Sequence, residues 1–151
     1  NWQVSRPVIF EQGREPMDYE LNDNTTEWND ITAERHGQVN LSRPFGITSQ
    51  GSRRLVWLKT TIISDKVQRR RLDFGFSDEA YVYLDNKPLY YGKNLYGSPI
   101  MKAPLGRASI ENSTIEMELQ EGENELLIGV TNFFFAWGIV ARWDSAEGLR
   151  Y

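Results

Sequence analysis

Alternation of apolar and polar residues at every second position is the feature that most constrains this fold. In "STIEMELQ", Ile115, Met117 and Leu119 alternate with acidic and amide side chains. Successive side chains of an extended strand point to opposite faces, so such a segment buries one face and exposes the other. No stretch of twelve or more residues repeats its apolar positions at helical spacing. The pattern therefore predicts a chain built from β-strands.

Two β-hairpins are predicted from the turn residues between alternating segments. The segment 115–119 is followed by "EGEN" at 121–124 and then by "ELLIGV", and Gly and Asn readily adopt the positive φ of a tight turn. In "AYVYLDNKPLYY", Asp85 and Asn86 are predicted to form the second turn. Pro88 lacks an amide hydrogen, which indicates that the returning strand lies near the edge of a sheet.

A central strand is predicted for "RRLVWLKTTIIS", because apolar or β-branched residues occupy both of its faces. "VQRRRLDFGF" is predicted to be its partner across a turn at 64–66, with Leu72, Phe74 and Phe76 on the buried face. Shorter strands are predicted at 28–33, at 38–41 and, within the long connection 92–111, at 99–101.

Many short strands separated by turns are typical of an antiparallel β-sandwich, and we predict one of the jelly-roll type. The length of 151 residues suits one domain, so residues 1–151 are expected to form a single β-sandwich module. The chain starts on Asn and shows no signal peptide, which leads us to expect a processed chain or a module excised from a larger protein.

Charge, cysteine content and hydropathy limit the classes of function. The net charge of −4 disfavours nucleic acid and anionic lipid as partners, and the lack of cysteine excludes disulfides and thiolate chemistry. The apolar run 126–141 would span about 24 Å as a helix, less than the ~30 Å of a bilayer core, so we interpret it as two strands joined across "TNF". The single histidine, His36, lies beside a glycine and is interpreted as a turn residue rather than a catalytic base.

Antiparallel strand alternation predicts that three connections meet at one end of the sandwich. These connections carry aromatic rings beside amides and a carboxylate, and rings stack on the apolar face of a sugar while polar groups bind its hydroxyls. Trp137 is included as a ligand candidate, with a position in the core as its alternative. The predicted ligand-binding residues are Asp78, Tyr91, Asn94, Tyr96, Asn132, Phe134, Phe135 and Trp137.

Several motifs resemble the accessory β-sandwich modules of the galactose-binding-like superfamily, which accompany glycoside hydrolases and other secreted bacterial proteins. The resemblance covers about residues 28–143 and implies a jelly roll, a non-catalytic role, contact with a glycan and a secreted or periplasmic location in a bacterium. "FFFA" departs from the family, which often has glycines before the Trp-Gly pair. The shared motifs are Ser77-Asp78, Leu84-Asp85-Asn86, Tyr91-Gly92-Lys93-Asn94, the turn from Leu119 to Leu126 and Trp137-Gly138.

Three functions follow as hypotheses. The first is a non-catalytic module that binds an oligosaccharide or polysaccharide, and the second is a structural domain that braces a neighbouring catalytic domain or subunit. The third is a polysaccharide lyase or hydrolase, which would need two carboxylates facing each other across a cleft. We expect no enzymatic activity and no cofactor. A structural calcium ion held by loop oxygens is compatible with such a sandwich, although no twelve-residue calcium-binding loop is present.

Overall fold

The computed structural model describes residues 1–9, 11, 13–15, 26–48 and 52–151. These residues form β-strands, one short helix (α1, Ser42–Phe45) and a 3₁₀ turn at Arg35–Gly37. The strands in chain order are β1 Trp2–Ser5, β2 Val8–Ile9, β3 Trp28–Ile31, β4 Gln38–Asn40, β5 Arg54–Ser64, β6 Gln68–Ser77, β7 Glu79–Leu84, β8 Lys87–Lys93, β9 Ser113–Leu119, β10 Gly122–Asn132, β11 Gly138–Trp143 and β12 Leu149–Arg150.

Two antiparallel sheets face each other, which confirms the predicted all-β sandwich. The larger sheet has the order β3-β1-β5-β10-β7-β8, with β2 and β12 also pairing with β5. The smaller sheet has the order β4-β11-β6-β9. The inner faces of both sheets contribute one core cluster, in which Leu72, Phe74 and Phe76 of β6 pack opposite Val82 of β7 and Ile128 of β10.

The predictions for β5 and for the β7–β8 hairpin agree with this arrangement, except for the strand predicted to pair with β5. β5 is central in the larger sheet, as predicted, and β7 and β8 form the predicted hairpin, with Asp85 and Asn86 at φ 48° and 63° in its turn. β8 is an edge strand, as Pro88 indicates. The partner predicted for β5 is wrong, because β6 pairs with β11 and β9 in the smaller sheet.

The predicted hairpin of β9 and β10 is also wrong. β9 pairs with β6, whereas β10 pairs with β5 and β7, so the connection at 120–122 crosses from one sheet to the other. The buried Asn124 amide holds this crossing: its Nδ2 donates to the carbonyl oxygens of Gln120 at 2.9 Å and Gly122 at 3.1 Å, and its Oδ1 accepts from the Gln120 N–H at 2.8 Å. The same turn residues that suit a hairpin therefore serve an inter-sheet crossing.

Other local predictions have mixed outcomes. Strands β3 and β4 lie within the predicted segments 28–33 and 38–41, and His36 occupies a turn at φ 67°. Residues 99–101 form a turn rather than the predicted strand. The run 126–141 divides into two strands, β10 and β11, as expected, but their connection is 133–137 rather than "TNF", because Thr131 and Asn132 still pair with β5. Among the described residues no helix has the length and apolarity needed to cross a bilayer.

Candidate functional site

Three connections meet around the buried Asp78 at one end of the sandwich, as strand alternation predicts. Its backbone N–H donates to the Thr131 carbonyl at 2.9 Å, and its own carbonyl accepts from the Asn94 N–H at 2.7 Å. Its Oδ2 accepts from the N–H groups of Phe133 at 2.5 Å and Phe134 at 2.9 Å. The β6–β7 crossing, the exit of β8 and the β10–β11 crossing are thereby joined through one residue.

Two of the predicted rings stack at this end of the molecule, and a third packs against them. The rings of Tyr96 and Phe134 lie nearly parallel, with centroids 5.8 Å apart and an interplanar angle of 13°. Phe135 meets Phe134 edge to face at 4.6 Å. Tyr96 is 60% exposed and Phe135 is 57% exposed, so both present apolar surface to solvent. An exposed cluster of rings of this kind is typical of a binding surface.

The cluster borders a groove of about 800 Å³, a volume within the usual range for small-ligand sites. We call it the rim groove. Its aromatic wall consists of Tyr96, Phe134 and Phe135, and Trp137 and Asp78 lie below it. Other parts of its lining are Gln38 and Asn40 of β4, and Leu105 and Arg107 of the 94–112 connection.

Polar side chains of the rim groove are of two kinds. The Asn40 Oδ1 accepts from the Ser42 N–H at 3.0 Å, and the Asp78 carboxylate accepts from backbone N–H groups. Both side chains therefore form hydrogen bonds within the protein. Gln38 and Arg107 are exposed, and the side chain of neither forms a hydrogen bond or salt bridge with the described residues. Their donors and acceptors are thus available to a ligand in the groove.

Backbone strain coincides with the exposed apolar surface. Leu105 and Phe135 both adopt positive φ, 52° and 59°, a conformation that costs a residue with a Cβ roughly 1–2 kcal/mol. Leu105 is 63% exposed, so the burial of its side chain does not offset this cost. Such strained residues persist only where the surrounding structure holds them, and they cluster at active and ligand-binding sites. The strain therefore points to the same groove as the exposed rings.

Hydrogen bonds to neighbouring parts of the chain hold the segment that carries Phe135. The Phe135 N–H donates to the Thr48 carbonyl at 2.9 Å, and its carbonyl accepts from Nδ2 of Asn132 at 3.0 Å. Arg54 donates to Oδ1 of Asn132 at 2.7 Å and lies 5.0 Å from the ring centroid of Trp137. These contacts hold the segment in one conformation, so the aromatic wall is present before any ligand arrives.

Three predicted ligand contacts are corrected by this geometry. Asn94 and Asn132 are fully buried, and their amides hold loops together: Nδ2 of Asn94 donates to the Phe76 carbonyl at 2.8 Å and its Oδ1 accepts from the Lys102 N–H at 2.7 Å. Trp137 is buried, and its Nε1–H donates to the Gly46 carbonyl at 3.0 Å, which agrees with the core interpretation. All three support the groove from within.

Tyr91, also predicted to bind the ligand, is exposed but does not line the rim groove. Its ring stacks on Tyr81 with centroids 4.6 Å apart, on the outer face of the larger sheet. A register shift between Val82 and Tyr83, opposite the middle of β8, occurs within this hairpin. The 94–112 connection leaves β8 toward the smaller sheet, so Tyr96 reaches the groove while Tyr91 stays on the other side.

Tyr91 instead borders a charged cluster beside the rim groove. The buried side chains of Arg53 and Glu79 form a salt bridge, Thr131 Oγ1 donates to Oε2 of Glu79 at 2.7 Å, and Nζ of Lys93 lies 3.5 Å from its Oε1. The Tyr81 hydroxyl donates to Oε2 of Glu15 at 2.9 Å. Phe133 faces this cluster rather than the groove. The carboxylates of the cluster are therefore engaged in ion pairs and hydrogen bonds.

Burial sets the protonation behaviour of Asp78. Desolvation raises the pKa of its carboxyl above the ordinary range of aspartate, and the charge of Glu79 acts in the same direction. The N–H groups of Phe133 and Phe134 and the Ser77 hydroxyl oppose this effect by stabilising the carboxylate. The net result is a raised pKa.

Gln38, Leu105 and Arg107 were not predicted from the sequence. Gln38 begins a short strand and gives no pattern that distinguishes it from any exposed residue. Leu105 and Arg107 lie in a connection whose course depends on the Asn94 amide and on the bond from Asn112 Nδ2 to the Ala103 carbonyl. The proline and glycine content of 99–106 was the one available signal that this connection has a fixed shape. Within the described ranges, no group of three His, Cys, Asp or Glu side chains is placed to hold a metal ion.

No protein-family model and no curated protein matches the chain. Its fold is similar to part of the β-glucosidase from Kluyveromyces marxianus in complex with glucose, with a TM-score of 0.59 and 13% identity over 96% of this chain and 16% of that chain. It is also similar to part of the GH31 α-xylosidase from Xanthomonas citri, with a TM-score of 0.52 and 14% identity over 92% of this chain and 13% of that chain.

A third similar structure is the anti-sigma factor domain-containing protein from Clostridium clariflavum, with a TM-score of 0.52 and 11% identity over 99% of this chain and 43% of that chain. At such identities the likeness establishes a shared β-sandwich fold. The chain spans less than half the length of each of these three proteins.

Proposed function

We propose that this protein is a non-catalytic, carbohydrate-binding β-sandwich module of the galactose-binding-like type, and that the rim groove contacts the glycan. The observation that carries the proposal is the exposed aromatic wall of Tyr96, Phe134 and Phe135 along a preformed groove. Two of the proteins that share the fold are glycoside hydrolases by name, which supports this choice of ligand class.

A sugar ring suits both surfaces of the groove. The axial C–H groups of a pyranose form an apolar face that packs on the exposed rings of Tyr96 and Phe135. The hydroxyl groups at the edge of the sugar would then meet the Gln38 amide, which can donate and accept, and the Arg107 guanidinium, which donates. With a few rings and two polar contacts, we expect a dissociation constant of about 10–100 μM.

The test is calorimetric titration with short oligosaccharides of cellulose, xylan, mannan and galactan. Phe135→Ala should lower the affinity for a bound oligosaccharide by at least about tenfold, because one of the two most exposed rings of the aromatic wall is removed. Phe133→Ala is the matched control, since this neighbouring ring faces the charged cluster, and its affinity should stay close to wild type. Equal losses in both variants, or no binding to any of the four sugars, would contradict the proposal.

The alternative is a structural role in which the groove docks on a neighbouring domain or subunit. Leu105, which also lines the groove, is exposed like Tyr96 and Phe135, and exposed apolar surface of this kind also suits a protein interface. The similar structures are parts of longer chains, which is compatible with such a neighbour. Size-exclusion chromatography with light scattering tests self-association: a concentration-dependent oligomer that Phe135→Ala disrupts would favour docking.

We further propose that the protein has no catalytic activity and that it is located outside the cytoplasm. Asp78 and Glu79 are the buried carboxylates near the groove, and both are held by hydrogen bonds or ion pairs within the protein. This engagement supports a non-catalytic role. Incubation with the four polysaccharides, followed by a reducing-sugar assay, should give no product; turnover that Asp78→Asn abolishes would instead support a hydrolase.

A further inference from the structure

One carboxylate carries the hydrogen bonds that position the aromatic wall of the rim groove. Oδ2 of Asp78 accepts from both the Phe133 and the Phe134 N–H groups, and Phe134 is the residue on which Tyr96 and Phe135 pack. The other oxygen, Oδ1, accepts from the Ser77 hydroxyl at 3.1 Å. Any change at this carboxylate is therefore transmitted directly to the backbone at the base of the wall.

Asp78 forms no salt bridge within the part of the chain that the structure describes, although it is almost fully buried. Glu79, the next residue, takes the nearby cations Arg53 and Lys93. The hydrogen bonds from the two N–H groups and one hydroxyl are what stabilise its charge. The charged side chains on the elements packed around it are Glu79, Arg53, Arg54, Lys93, Lys102 and Arg107.

We propose that Asp78 is the positioning residue of the rim groove and that its ionisation controls how firmly the aromatic wall is held, so that glycan binding weakens on acidification. This inference rests on the proposed carbohydrate-binding function. Hydrogen bonds to an ionised carboxylate are about twice as strong as those to a neutral one. Protonation of Asp78 therefore weakens both bonds to 133 and 134 at once.

The transition falls at milder acidity than for an exposed aspartate, because burial raises the pKa of this carboxyl. Acidification affects the stability of the whole fold in the opposite direction: protonation of Asp78 loosens the aromatic wall but favours the folded chain. Since the folded-state pKa lies above the unfolded one, the folded chain holds the proton more tightly, and lowering the pH through this range favours folding as far as Asp78 is concerned. Loss of binding over this range would thus report the wall rather than unfolding through this group.

The direct test is an NMR titration of the wild-type chain from about pH 3 to 8, which brackets ordinary and raised aspartate pKa values. We expect the amide signals of Phe133 and Phe134 to move with the same midpoint as the side-chain carboxyl carbon of Asp78. Amide signals that do not follow that carboxyl would overturn the positioning role. This measurement needs no ligand.

Binding of the tightest oligosaccharide from the four-sugar panel is then measured over the same pH range. We expect wild-type affinity to fall about three- to tenfold through the midpoint, equivalent to weakening one or two hydrogen bonds. Asp78→Asn should bind weakly at every pH, with the midpoint lost. Asp73→Asn, on the outer face of β6, is the matched control and should keep the wild-type profile.

The outcomes separate the two proposals. Wild-type affinity in Asp78→Asn, or an affinity that stays constant while the Asp78 carboxyl titrates, overturns the control of binding by ionisation. If none of the four oligosaccharides binds at any pH, the proposed function fails instead, and the amide titration alone decides whether Asp78 holds the wall. Near-ultraviolet circular dichroism of Asp78→Asn shows whether a weak affinity comes from a misfolded variant.

Discussion

The ring of Tyr96 lies almost parallel to the ring of Phe134, with centroids 5.8 Å apart, although the two residues come from different connections of the chain. This pair joins the exit of β8 to the β10–β11 crossing on the surface of the molecule. Because Tyr96 remains largely exposed, folding buries little of its ring. Its contribution is therefore expected to lie in binding rather than in stability.

Tyr96→Leu should lower the affinity for a bound oligosaccharide about fivefold to tenfold, since the flat surface beside Phe134 is lost. The free energy of unfolding should change by less than about 1 kcal/mol, as for other exposed positions. Calorimetric titration and urea unfolding check the two values. Tyr151→Leu, an equally exposed ring elsewhere on the chain, should leave both unchanged. A large loss of stability in Tyr96→Leu would show that the pair is structural.

Asn124→Ala should destabilise the fold by about 2–4 kcal/mol, because it removes several buried hydrogen bonds and leaves backbone groups without partners. The amide binds Gln120 and Gly122 in the connection that carries the chain between sheets. Urea unfolding followed by tryptophan fluorescence measures the effect. Asn29→Ala, at an exposed position of β3, is the control with little expected change. If Asn124→Ala lowered the free energy of unfolding by less than about 1 kcal/mol, the connection would keep its shape without this amide.

Gly75→Ala should cost about 1–3 kcal/mol through overpacking, and it should also disturb the rim groove. A Cβ at this position would overlap the backbone of Ser109. Ser109 belongs to the same 94–112 connection as Leu105 and Arg107. The backbone of 109 must move away, and amide chemical shifts of residues 102–112 should report that movement. Thr114→Ala on the adjacent strand β9 serves as the control. Unchanged shifts in this connection would contradict the close approach.

The alkaline limb of the stability profile should depend on Tyr81. Burial, followed by the charge of Glu79 and the hydrogen bond to Glu15, raises the pKa of its hydroxyl well above the value of an exposed tyrosine, about 10. A raised folded-state pKa means that the contribution to stability is present below the unfolded pKa and is lost as the pH rises through the folded one.

The free energy of unfolding should therefore decline above about pH 10, and Tyr81→Phe should reduce that decline. Chemical unfolding between about pH 9 and 11 checks this slope. Tyr151→Phe provides a comparison at an exposed ring. Equal slopes in wild type and Tyr81→Phe would show that Tyr81 does not control the alkaline limb.

Much of the candidate site could be located from the sequence, but the role of each residue could not. Alternation brought three connections to one end and placed Tyr96, Phe134 and Phe135 there. The amides of Asn94 and Asn132 looked available to a ligand, because a loop sequence does not show which backbone groups lie within reach of an amide. In the folded chain those groups are the Lys102 N–H and the carbonyls of Phe76 and Phe135, and both amides are buried against them.

The period of two in this sequence determined the strands, their buried faces and the sandwich class, because the direction of a side chain depends only on local backbone geometry. It could not determine which strands pair. β5 and β6 are consecutive and β9 and β10 are consecutive, yet each pair is split between the two sheets. Pairing depends on which neighbouring backbone completes the hydrogen bonds while the inner faces close on one core, and only the tertiary structure decides that.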